Sequence, residues 1–138
     1  MRVLLFLAAD YANVTGDGKL NVMGIFNEIN SYNFPARHAT MHLIAKLAAE
    51  LGEYGQTRTF TVKLLDADGR QNMELSGQFD IPKGEGGKKP EVNVILELKD
   101  IIFPTPGPYQ FVFLLDRDQK DDLTLYVNKL DTPTPAKE

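Results

Sequence analysis

Apolar and polar residues alternate with a period of two along most of this chain, which is the signature of half-buried strands. Arg58, Phe60, Val62 and Leu64 fall on one side and Thr57, Thr59, Thr61 and Lys63 on the other. Met73, Leu75, Phe79 and Ile81 alternate with Asn72, Glu74, Ser76, Gln78 and Asp80, and between these runs stands Asp66-Ala67-Asp68-Gly69. Its glycine suits the positive φ of a tight turn, so the two runs are predicted to pair as a hairpin. Val92, Val94, Leu96 and Leu98 define another strand; Tyr109, Phe111, Phe113 and Leu115 a further one; Leu123, Leu125 and Val127 the last. The last two are expected to form a hairpin closed by a polar turn from Asp116 to Asp122. Val3 to Tyr11 and Lys19 to Ile29 flank Thr15-Gly16-Asp17-Gly18, a third hairpin.

Met41 to Leu51 carries conflicting signals. Met41, Leu43, Ala45, Leu47, Ala49 and Leu51 alternate cleanly, yet Ala45 to Leu51 is built of strong helix formers, with Thr40 able to cap the start and Gly52 placed at the end. We read it as a strand, because a lone helix among seven strands would need its own packing surface and tertiary context overrides propensity. Eight strands joined by loops rich in Gly, Pro, Asp and Asn predict an all-β chain: an antiparallel β-sandwich of about eight strands with immunoglobulin-like topology. Pro106-Gly107-Pro108-Tyr109 opens the penultimate strand with a tyrosine. It reads equally as a tyrosine corner, whose phenol bonds back to the preceding loop, or as a plain core tyrosine.

The predicted organisation is a single β-sandwich domain over residues 1–130, followed by a disordered tail over 131–138, where Thr132-Pro133-Thr134-Pro135-Ala136-Lys137-Glu138 offers no apolar anchor. Residues 82–90, rich in glycine and lysine, read as a mobile loop. Arg2 before the short apolar run Val3 to Ala9 raises a secretory leader, but Asp10 and Tyr11 follow at once, and we read the run as a buried strand. No stretch approaches the ~18 apolar residues of a membrane-spanning helix.

At 138 residues with 43% hydrophobic positions, the chain is long enough for a core needing neither metal nor disulfide. The absence of cysteine excludes thiol chemistry, zinc ribbons and iron–sulfur clusters, and fits a reducing compartment. A net charge of -4 has the wrong sign for gaining affinity from phosphate neutralisation, so no nucleic-acid partner is expected.

Candidate chemistry is sparse. The serines, Ser31 and Ser76, lie outside any Gly-x-Ser-x-Gly turn, and no catalytic residue is assigned. His38 and His42 would be about 13 Å apart on a strand, too far to share an ion. Asp66 and Asp68 begin like a calcium loop but lack its remaining ligands, so turn chemistry accounts for them. Asp116, Asp118, Asp121 and Asp122 make the better candidate cation loop, although Arg117 and Lys120 offset them and a solvated turn is the simpler reading. Gly84, Gly86 and Gly87 among Lys83, Lys88 and Lys89 could offer amides to an anion, but match no phosphate-loop spacing. Asn13-Val14-Thr15 is a glycosylation sequon that matters only in a secreted protein. No cofactor is implied.

Ala9-Asp10-Tyr11-Ala12-Asn13-Val14, Asp17-Gly18-Lys19-Leu20-Asn21-Val22 and Gly24-Ile25-Phe26 resemble the opening of a small bacterial family of uncharacterised domains. Phe34-Pro35-Ala36, Asp68-Gly69 and Pro106-Gly107-Pro108-Tyr109-Gln110-Phe111 extend the resemblance over nearly the whole chain except the tail. The resemblance implies an all-β domain, mostly alone in a short cytoplasmic bacterial protein, with no known activity or site residues.

Function then divides between two expectations. The first is a non-enzymatic module binding a protein partner through open sheet edges. The second is a small-ligand or carbohydrate-binding domain using Tyr32, Tyr54 and Tyr126 with the acidic turn. A homo-oligomer is also possible on this pattern, since Val3 to Ala9 is apolar on both faces, as a central strand or a partner-covered edge would be.

Overall fold

A computed structural model describes residues 1–131 and shows an all-β chain of two packed sheets. The nine strands of the described residues are β1 (Arg2–Val14), β2 (Leu20–Phe26), β3 (Glu28–Ser31), β4 (Ala36–Ala48), β5 (Thr57–Leu65), β6 (Gln71–Asp80), β7 (Glu91–Phe103), β8 (Gly107–Leu115) and β9 (Asp118–Lys129). One sheet has the order β2-β1-β4-β7, the other β3-β9-β8-β5-β6. The tail predicted over 131–138 lies, from residue 132 on, outside the described residues.

All three predicted hairpins form, and the disputed segment from Met41 is a strand, paired with β1 on one side and β7 on the other. Flanking strands satisfy its backbone and bury Met41, Leu43, Ala45 and Leu47, which outweighs the helix preference of its alanines. These four meet Phe60, Val62, Leu64, Phe111, Phe113 and Leu125 of the other sheet in one continuous core. Phe60 stacks between Phe79 and Phe113, and Phe6 packs on Phe113 at 5.7 Å between ring centres.

Two expectations are corrected. The stretch Lys19 to Ile29 is two strands, because the chain bends at Asn27 and crosses to the other sheet. There β3 pairs in parallel with β9, Glu28 beside Tyr126 and Ser31 beside Lys129, so the sandwich is not wholly antiparallel. The crossing buries Ile29 in the core while its neighbours stay exposed. The turn expected over Asp116 to Asp122 is only Asp116-Arg117, with Leu115 opposite Asp118. Both turn residues take the left-handed conformation, φ 48° and 81°, as a two-residue hairpin with matched twist requires.

A second departure from regular strands sits in β4 and β7. Asp100 adopts φ 55° opposite Ala39, and the alternation reverses there in both strands. Leu98 is buried on one side of the kink and Ile101 and Phe103 on the other; Met41 and Ala36 do the same across it. Arg37 pairs with Asp100 at this bend.

Tyr109 settles between its two readings. It is buried, its Oη donates to the Thr105 carbonyl at 2.8 Å, and its ring meets Phe103 edge-on at 4.9 Å. The phenol therefore ties β8 to the loop before it, which is a tyrosine corner.

Candidate functional site

The structure disperses the acidic cluster suggested by the sequence. Asp116 turns back onto β5, where its carboxylate accepts from the Thr59 amide at 3.0 Å and pairs with the Arg58 guanidinium. Arg58 also pairs with Glu53, which holds the N-terminal ammonium at 2.9 Å. The Thr59 amide and then Arg58 hold the Asp116 carboxyl below the usual carboxylate range. Glu53 is also held low: burial opposes the shift, but bonds from the N-terminus, the Glu50 amide and Arg58 outweigh it. Asp118, Asp121 and Asp122 are strand residues of β9, not turn ligands; Asp121 accepts from the Asp122 amide and Asp122 from Gln119. Among the described residues no group of three or more His, Cys, Asp or Glu side chains is disposed to hold a metal ion.

Other candidates resolve into structural roles. Asp66 caps its own turn, accepting from the amides of Asp68 and Arg70 at 2.9 and 2.8 Å. The Ser31 hydroxyl bonds to the Asn33 carbonyl and that of Ser76 to Thr61. In the glycine-rich loop Gly84 lies under the Tyr54 ring, so close that an added Cβ would stand 2.7 Å from it, and Lys89 pairs with Glu50. Tyr32 follows β3 and Tyr126 lies in β9, both half exposed, while Tyr54 sits in the β4–β5 connection.

The kink at Ala39 sends the two histidines apart. His42 is buried; its Nδ1 bonds to the Asp10 carbonyl at 3.1 Å, where β1 leaves β4, and Tyr11 meets its ring edge-on. His38 packs on Phe26 beside a cleft of about 300 Å³ that Asp10, Glu28 and Asn30 also line. Burial lowers its pKa from the usual imidazole value, with Asp10 pulling partly the other way.

What the structure leaves open is an apolar face. On the side of the four-stranded sheet away from the core, Ala9, Ala12 and Ile44 form a second buried cluster, with Leu5, Leu7, Leu20, Val22 and Ile95 half covered around it. Beside that cluster Tyr11 pairs with Met23 and Ala9 with Ile25 across β1 and β2. Met23 and Ile25 are 62% and 63% exposed and Tyr11 47%. Along the same edge of the sandwich a cleft of about 340 Å³ opens, lined by Phe6, Leu7, Ile25, Phe26, Leu123 and Thr124. It exists because β1 pairs with β2 only from Ala8 onward and β9 with β3 only from Tyr126 onward, leaving one edge of each strand free below those points. The reading of Val3 to Ala9 as a buried or covered strand thus holds in part: Ala8 and Ala9 are central, but Val3 to Leu7 lie at an edge. The sequence reading passed over Met23 and Ile25, although Leu20 to Asn27 carries no charge and offers apolar groups to both faces.

The chain belongs to a family of unknown function, DUF6941, whose sequence model matches residues 4–128. No curated protein matches it. Among solved structures, the alkylpurine DNA glycosylase AlkC of Pseudomonas fluorescens, bound to DNA containing an abasic site analog, is 11% identical with a TM-score of 0.52, over 88% of this chain and 30% of its own. The β-glucosidase of Listeria innocua, in complex with glucose, is 12% identical with a TM-score of 0.53, over 93% of this chain and 16% of its own. At these identities the likeness is one of fold alone, and this chain spans less than a third of either protein. Among the described residues no helix is long and apolar enough to cross a membrane.

Proposed function

We propose that this chain is a non-enzymatic interaction module that docks a protein on the exposed apolar surface of β1 and β2. The observation that carries the reading is the exposure of Tyr11, Met23 and Ile25 close together on the paired strands β1 and β2. Scattered surface apolar residues are ordinary, whereas a contiguous group marks a contact surface. Five clefts among the described residues are open and of about 220–400 Å³, at the small end of ligand sites, and this favours a protein partner over the carbohydrate or small-molecule alternative. We also read the strand order as immunoglobulin-like. β1-β4-β7 answers to the first, second and fifth strands of such sandwiches, and β9-β8-β5-β6 to the opposing sheet, with β2 added outside β1.

The test is affinity capture from cells that express the protein, comparing the natural chain with Ile25→Lys. A partner retained by the natural chain and lost from Ile25→Lys is the expected result. Equal capture by both refutes the docking face.

A further inference from the structure

We propose that the protein docked on β1 and β2 presents an arginine, whose guanidinium enters the cleft between Asp10 and Glu28 and lies on Phe26, while an apolar side chain of the same extended segment fills the neighbouring cleft. The proposal names the chemistry of the partner and rests on the reading above. Its first support is position. Ala9 pairs with Ile25 and Tyr11 with Met23, so Asp10 falls opposite Gly24, in the midst of the exposed apolar residues. Gly24, at φ 72°, leaves that place open: a Cβ there would stand 2.5 Å from the Asp10 carboxylate, which therefore lies against the backbone of β2. After the bend at Asn27, Glu28 opens β3, and β4 brings His38. Asp10, Glu28 and His38 thus come from three strands to one cleft of about 300 Å³, with Phe26 and Ile29 also in its walls.

The second support is charge complementarity. Among the described residues no Lys or Arg pairs with Asp10 or Glu28. Arg37, next to His38 in the chain, pairs with Asp100, Lys19 pairs with Asp17, and Lys129 aligns with Ser31 at the far end of β3 from Glu28. Burial favours the neutral form of His38, so the imidazole does not cancel the two carboxylates. Two other clefts hold a carboxylate, Asp100 in one and Asp116 in the other, and each already meets an arginine of this chain, Arg37 or Arg58. Carboxylates beside an aromatic ring suit arginine over lysine, because a planar guanidinium stacks on the ring and offers a fork of donors, whereas an ammonium is compact and strongly hydrated. The third support is the adjoining cleft of about 340 Å³, which shares Phe26 and has Phe6, Leu7, Ile25 and Leu123 in its walls. Leu7 lines that cleft and Asp10 the acidic one, and three residues of extended strand span about 10 Å. The arginine and the apolar residue of the docked segment are therefore about three positions apart.

A random peptide library displayed on phage and selected on the full chain reads the outcome. Enriched peptides are expected to carry an arginine with an apolar residue about three positions away. Made synthetically and followed by fluorescence anisotropy, they should bind about tenfold more weakly to Asp10→Asn and to Glu28→Gln. The same loss, about tenfold, is expected on the natural chain when citrulline, which keeps the shape and loses the charge, replaces the arginine. Asp68→Asn changes the net charge equally but lies in the β5–β6 turn, and it should leave binding unchanged. Thermal midpoints check that each variant is folded; all three side chains are exposed. Enriched peptides without arginine, arginine peptides indifferent to Asp10→Asn and Glu28→Gln, or an equal loss in Asp68→Asn overturn the proposal. Where such peptides are still lost from Ile25→Lys, the docking surface beneath it stands. A library that yields no binder, or binders indifferent to Ile25→Lys, overturns both.

Discussion

Tyr109→Phe isolates one hydrogen bond in an otherwise unchanged core. The ring keeps its place against Phe103, so no cavity opens, and what is lost is the 2.8 Å bond to the Thr105 carbonyl together with a 3.4 Å contact from the Thr105 amide. Thr105 is exposed, so its freed groups turn to water and no desolvated orphan remains. The expected cost is therefore the net value of one hydrogen bond, about 1 kcal/mol, and not the 1–3 kcal/mol of a buried unsatisfied group. For a domain of this size that lowers the thermal midpoint by about 3–5 °C. Thr105→Ala serves as the control, because the bond goes to the backbone, and it should fall within about 0.5 kcal/mol of the natural chain. Urea unfolding read by tyrosine fluorescence and far-ultraviolet dichroism gives both values. A Tyr109→Phe midpoint equal to the natural chain would show that the phenol adds nothing to the corner. A loss above about 3 kcal/mol would show that the loop rearranges instead.

Gly77→Ala should destabilise by about 1–3 kcal/mol, since the new Cβ would stand 2.6 Å from the Phe60 ring, itself held between Phe79 and Phe113; chemical denaturation measures it. Arg117→Gly should stabilise by about 0.5–1 kcal/mol in the same assay, because Arg117 sits at φ 81° where glycine is unstrained. Asp116 and Glu53 have depressed pKa values in the folded chain, so their contribution is present above the unfolded carboxylate range and is lost as pH falls below about 4. Arg58→Met removes the shared cation, so the stability gap between it and the natural chain should be full at neutral pH and shrink on acid titration; a constant gap would refute the network.

The strands were legible because each buries one face and exposes the other, a pattern written residue by residue in segments such as Arg58 to Leu64. Where the pattern broke, the cause lay outside the local segment. Asn27 gives no sign that the chain changes sheets there; the vacancy beside Tyr126 to Lys129 of β9 decides that β3 crosses over. Nor does Asp100 announce a reversal of alternation, since its left-handed backbone belongs to the gap in the β4–β7 ladder opposite Ala39, where Arg37 pairs with its side chain. The acidic run after Leu115 shows the same limit: four aspartates close in sequence end with different partners, because Asp116 makes the turn with Arg117 while Asp118, Asp121 and Asp122 enter β9.

The sequence by itself thus determined the class of fold, the hairpins, the absence of thiol and disulfide chemistry, and the family. The tertiary structure alone decided which apolar residues remain uncovered. Met23 and Ile25 look like any strand interior when read in order, because alternation reports that a side chain has a face but not whether another layer lies upon it. Burial is a property of the neighbours that arrive from elsewhere in the chain, and over Met23 and Ile25 too few arrive to cover them.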